Sequence, residues 1–158
     1  DTVQTLAEMP VGGVEKTHEM ILGTRCDKVA GVTTHDGSPG PIRSINAVTV
    51  AVADMDRSHA FYDALGFVTT FGGPTSGFTS LGAGQSFLNL QLDAGHTPPP
   101  AVWGRIIFWV DDVDAMYDRV VAAGGVPHMA PSDAPWGERY FHVTDPDGHE
   151  LSFARPLG

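Results

Sequence analysis

The sequence predicts an α+β fold built from two βαβββ modules in tandem, and three observations carry that prediction. An alternating β-branched run, an aspartate, a helical apolar stripe and a glycine follow one another from Ile45 to Gly66, and the same order returns from Arg105 to Gly124. The copies keep register: Val52 and Val110, Asp54 and Asp112, Gly66 and Gly124 each stand 58 residues apart. After each helix come short strand-like runs broken by Gly, Pro, Ser and Asp turns.

In the first module, Ile45 to Val52 alternates as a strand and Asp54 stands where a helix N-cap belongs. Ser58, Phe61, Tyr62 and Leu65 follow at helical spacing, and Gly66 marks the stop. Phe67–Phe71, Gly77–Leu81 and Ser86–Leu92 read as three further strands. The stretch Ala94-Gly95-His96-Thr97-Pro98-Pro99-Pro100 is a linker, because its prolines cannot supply ladder donors. In the second module, Arg105 to Val110 is a strand and Asp112 a cap. Val113, Met116, Tyr117, Val120 and Val121 form a helical stripe ended by Gly124-Gly125. Strands are expected around Val126–Met129, Arg139–Thr144 and Glu150–Ala154, with Asp145-Pro146-Asp147-Gly148 a turn between the last two. Residues 1–43 lack any sustained apolar period and read as a loosely ordered arm, with Cys26 an inert thiol. The expected organisation is that arm, then one domain over 44–158 made of modules 44–95 and 103–156.

Composition narrows the function. With 42% hydrophobic residues over 158 positions, the chain can bury a core. Nineteen acidic against nine basic residues give a net charge of −10, which repels phosphate backbones and argues against a nucleic-acid partner. A single cysteine excludes an internal disulfide framework and a polythiolate zinc site. No apolar run has the length of a membrane span and no basic-then-apolar leader opens the sequence, so the expectation is a cytoplasmic domain with no membrane partner.

Strand alternation separates two faces. Val48, Val50, Val52, Leu88, Leu90, Ile106, Phe108, Leu151 and Phe153 form apolar faces fit to lie under the helices. The opposite faces carry Asn89, Gln91, Arg105, Trp109, Glu150 and Ser152, which suits either a ligand cavity or an ordinary solvated sheet.

Three stretches resemble a known family: INAVTVAVADMDRSHAFYDALGF (45–67), RIIFWVDDVDAMYDRVVAAGG (105–125) and PWGERYFHVTDPDGHELSF (135–153). They are similar to the vicinal oxygen chelate superfamily, which includes glyoxalases, extradiol dioxygenases, thiol transferases and bleomycin-resistance proteins. The resemblance implies paired modules forming a partial barrel around a cavity, often in a homodimer. Metal-dependent members hold a divalent ion there on His and Glu side chains. Carried over by position, the two histidines fall on Ala47 and Arg105, the final carboxylate on Glu150, and an extra ligand about at Asn89. Ala47 has no donor and Arg105 is a permanent cation, so the resemblance implies no metal and no other cofactor. Arg105 and Glu150 are expected to form an ion pair, since a lone carboxylate in a partly dry cavity needs a partner.

The segment Pro135–Arg139 and the turn after it resemble the bleomycin-resistance branch most. That resemblance implies a metal-independent protein that sequesters a drug-like or metabolite ligand and has no catalytic residue. The expected ligand-binding residues are Phe87, Asn89, Arg105, Trp109, Trp136, His142 and Glu150, with Trp103 a further stacking wall. Arg105 points to an anionic guest and the net charge to a cationic one, and the sequence leaves both open. Two alternatives stand beside this reading. One is a lyase, isomerase or dioxygenase with a displaced metal site on Glu150 and His142; the other is a non-catalytic interaction domain.

Overall fold

A computed structural model describes residues 44–158; the arm expected over 1–43 lies outside the described residues. The described elements run β1 (Ala47–Val52), α1 (Met55–Ala64), β2 (Val68–Phe71), β3 (Phe78–Ala83), β4 (Ser86–Leu92), β5 (Arg105–Trp109), α2 (Val113–Ala122), β6 (Ser132–Asp133), β7 (Glu138–Thr144) and β8 (Glu150–Pro156). They make two four-stranded sheets, ordered β1-β4-β3-β2 and β5-β8-β7-β6. In each, the first strand pairs in parallel with the last, and the remaining pairs are antiparallel. The repeated topology matches the two tandem modules read from the sequence.

Each helix starts as its aspartate dictates. Asp54, extended at φ −140°, accepts from the amide of Arg57 at 3.0 Å, and Asp112 accepts from that of Ala115 at 3.0 Å. Gly66 and Gly124 follow the last turns with φ of +95° and +83°, a conformation that only glycine takes without strain.

One part of the second module departs from the expectation. The strand predicted around Val126–Met129 is reduced to an isolated bridge between Pro127 and Val143, and β6 lies later, at Ser132–Asp133. Pro127 lacks a ladder donor, and exposed Val126 gains nothing from a sheet face, so the chain joins the sheet only briefly there.

The apolar faces of both sheets and the inner faces of both helices form one core across the modules. Val50, Val52, Tyr62, Leu81, Leu88 and Leu90 from the first module join Val113, Val120, Phe141, Val143, Leu151 and Phe153 from the second. Aromatic edges tie the halves together: Tyr62 meets Phe67 at 5.4 Å, Phe67 meets Phe108 at 5.1 Å, and Phe108 stacks on Phe153 at 5.6 Å.

The five-residue segment between β7 and β8 fixes the first module to the second. Fully buried Asp147 accepts from the Ala53 amide at 2.8 Å, from the Ser58 hydroxyl and from Arg57. Asp145 accepts from the Tyr62 hydroxyl at 2.6 Å and from the amides of Asp147 and His149. His149 accepts at Nδ1 from the Trp103 indole at 3.2 Å, so its Nε2 carries the hydrogen and donates to the Ala51 carbonyl at 2.7 Å. Gly148, at φ +91°, lies so close to Pro98 of the linker that a Cβ would come within 2.6 Å of it. The sequence marks this segment as a turn; that it is also a polar clasp shows only once β1 and α1 are beside it.

Candidate ligand-binding site

The faces turned away from the core carry the candidate residues. Strand register places Glu150 opposite Arg105 on the second sheet and Phe87 opposite Ala47 on the first. By the internal repeat, Phe87 and not Asn89 is therefore the counterpart of Glu150. Asn89 lies opposite Thr49, to which it donates at 3.3 Å, while its carbonyl accepts from Ser80 at 2.8 Å.

The expected ion pair forms. Arg105 Nε donates to Glu150 Oε1 at 2.7 Å, and Nη2 donates to the same oxygen. Glu150 is buried in the central strand β8, whereas the Arg105 side chain on the edge strand β5 keeps 40% of its surface exposed. His142 pairs in register with Ser152 and Thr144 with Glu150, so His142 and Glu150 are diagonal neighbours rather than directly opposed. Burial pushes the His142 imidazole below its ordinary pKa, and the Arg105 cation lowers it further, with Glu150 opposing. Its buried Nδ1 has no hydrogen-bond partner.

A cavity of about 720 Å³ opens between the modules. Phe87, Arg105 and Trp109 line it, joined by Ala47, Trp103 and Met116. Asn89, Trp136, His142 and Glu150 are not on its wall; Glu150 reaches it through Arg105. Trp136 instead donates to Glu138 at 3.1 Å and packs on Tyr140, which in turn lies 4.9 Å from the His142 ring. The seven candidates thus fall into a cavity group, a ladder running Arg105–Glu150–His142–Tyr140–Trp136, and Asn89 apart from both.

The cavity has a cause in the unequal halves. At the second module's clasp, Asp147 fills the space beside β1 and meets Ser58. The first module offers only the short turn Gly84–Gln85 at the corresponding place, and Met116 stands where the repeat puts the counterpart of Ser58. Gly84 and Met116 both line the void that remains. Met116, which its helical spacing marks as core, packs half-buried against the core and lines the cavity as well.

Such an arrangement defines a paired-module protein with an apolar cavity at the junction of its halves. The model of the Glyoxalase/Bleomycin resistance protein/Dioxygenase superfamily matches residues 44–153, and the chain belongs to that superfamily. It is 44% identical over 71 residues to an uncharacterised protein of Mycobacterium bovis, covering 42% of this chain and 47% of that one. The chain therefore spans less than half the length of that relative. It is 25% identical to the metallothiol transferase FosB of Lysinibacillus sphaericus, over 71% of this chain and 82% of that protein. Among solved structures, a bleomycin-binding protein complexed with bleomycin superposes with a TM-score of 0.57 at 26% identity, covering 72% of this chain and 98% of that one. No helix among the described residues is long and apolar enough to cross a membrane.

Proposed function

We propose that this chain binds a drug-like or metabolite molecule in the inter-module cavity without a metal ion, sequestering it rather than transforming it. One observation carries the metal-independent part: Arg105 occupies a position that the family resemblance gives to a ligand histidine, and its guanidinium engages Glu150. The donor set does not fit a divalent ion. Ala47 and Phe87 offer no donor, Arg105 repels a cation, and Glu150 is already neutralised. Among the described residues no group of three or more His, Cys, Asp or Glu could hold a metal. A small-molecule role is supported by the cavity's size and apolar wall and by the likeness to a protein complexed with bleomycin.

Ile107 and Trp109 on β5, and Trp136 just ahead of β7, remain about 60% exposed. Apolar exposure of that extent supports a second copy covering the open sheet faces.

The test is metal analysis of protein purified without chelator, with melting temperatures measured against a panel of candidate ligands with and without EDTA. The expected result is a substoichiometric metal content and a ligand-induced rise that EDTA leaves unchanged. The rival reading is a metal-dependent enzyme using Glu150 and His142, and the unpartnered His142 Nδ1 is the observation that favours it. A stoichiometric zinc, nickel, iron or manganese ion, lost on His142→Ala, would establish that rival.

A further inference from the structure

The cavity wall does not share the charge of the chain around it. The sequence carries −10, yet among the described residues lining the cavity Arg105 is the single charged one, and no carboxylate is exposed there. Glu150 lies behind Arg105, 6% exposed, and faces the guanidinium with one oxygen only. That oxygen takes Nε and Nη2, and Nη1 has no hydrogen-bond partner among the described residues. A molecule entering the cavity therefore meets the cationic end of the pair. A cation would meet Arg105 with no carboxylate on the cavity wall, Glu150 being set behind the guanidinium, whereas an oxyanion would find a planar donor set suited to it. Around that donor the wall is apolar and rich in aromatic rings, with Phe87, Trp103, Trp109, Ile107 and Met116 on it. A volume of about 720 Å³ suits two or three linked rings.

Resting on the reading of this cavity as a ligand site, we infer that its guest is a flat, mostly apolar molecule carrying one oxyanion, the anion seated on Arg105 and the rings against Phe87, Trp103 and Trp109. Overall negative charge acts at long range on approach and is screened by salt, while the wall decides what stays.

Three fluorescent probes of similar size test this on the full chain: anionic 1-anilinonaphthalene-8-sulfonate, its neutral analogue N-phenyl-1-naphthylamine, and cationic thioflavin T. The anionic probe is expected to bind about tenfold or more tightly than either of the others. Arg105→Gln should weaken the anion about tenfold and leave the neutral probe within about twofold. Glu150→Gln, which removes the negative charge competing for the guanidinium, should instead tighten the anion severalfold while leaving the neutral probe within about twofold; a partly unfolded chain would take up both dyes more strongly. Equal or stronger binding of the neutral or cationic probe, or an anion affinity indifferent to Arg105, overturns the assignment of charge while leaving the cavity a ligand site. Failure of all three probes to bind a chain that circular dichroism shows to be folded overturns the ligand site itself.

Discussion

The carboxylate of Asp147, in the second module, accepts the hydroxyl hydrogen of Ser58 at the start of α1 in the first, and both side chains are fully buried. The same carboxylate also holds the Ala53 amide and Arg57. Asp147→Ala strips three donors of their acceptor, the Ser58 hydroxyl in full burial and the Ala53 amide and Arg57 in part, and is expected to cost about 3 kcal/mol. Ser58→Ala, which removes one donor and leaves the others, should cost about 1 kcal/mol. Urea denaturation of the two variants checks the order.

Tyr62 donates to Asp145 from full burial, and that burial, with the neighbouring carboxylates, pushes its hydroxyl well above the usual range. The hydroxyl is therefore a donor at every workable pH. Tyr62→Phe keeps the ring packing and leaves Asp145 with two backbone donors, so the expected loss is about 1–2 kcal/mol. A loss within error would show the hydroxyl to be redundant there.

Breaking the Arg105–Glu150 pair from either side should destabilise unequally. Arg105→Leu leaves a buried carboxylate alone and should cost about 2–4 kcal/mol; Glu150→Leu leaves a half-exposed guanidinium that water can serve and should cost less. The double variant is expected to be more stable than Arg105→Leu alone. A double-mutant cycle in denaturant gives the coupling directly.

His142 imposes a pH dependence of known sign. Its folded pKa lies below the usual imidazole value of about 6.5, which the unfolded chain retains. As pH falls through that value the unfolded state takes up a proton that the folded state refuses. Stability therefore declines with falling pH, by at most about 1.4 kcal/mol per unit, and levels off below the folded pKa. Subtracting the profile of His142→Phe from that of the wild type, between pH 7.5 and 5, isolates this share. Superimposable profiles would remove it.

How legible all this is in the sequence depends on whether local rules decide it. Asp54 and Asp112 are readable because capping uses residues within one turn of them, and the apolar faces because alternation is local. Arg105 facing Glu150 is readable through family positions, and the register confirms their contact. The clasp is not, since Asp147 meets Ala53, Arg57 and Ser58 some ninety positions away in the chain. Phe87 as the partner of Ala47 needs the strand register, and so does the diagonal placement of His142. Trp136 shows no local signal that it packs on Tyr140 rather than the cavity.

The short turn at Gly84–Gln85 gives the two halves different work. One copy of the repeated interface is plugged by its own acidic segment and secures the molecule, and the other is left hollow. The volume of the hollow therefore depends in part on a peripheral hairpin and on Met116, which packs half-buried beside the core. Lengthening that hairpin by one or two residues would narrow or close the hollow while the joint at Asp147 stays untouched, so under the proposed reading the choice of guest can change at little cost to the fold's integrity.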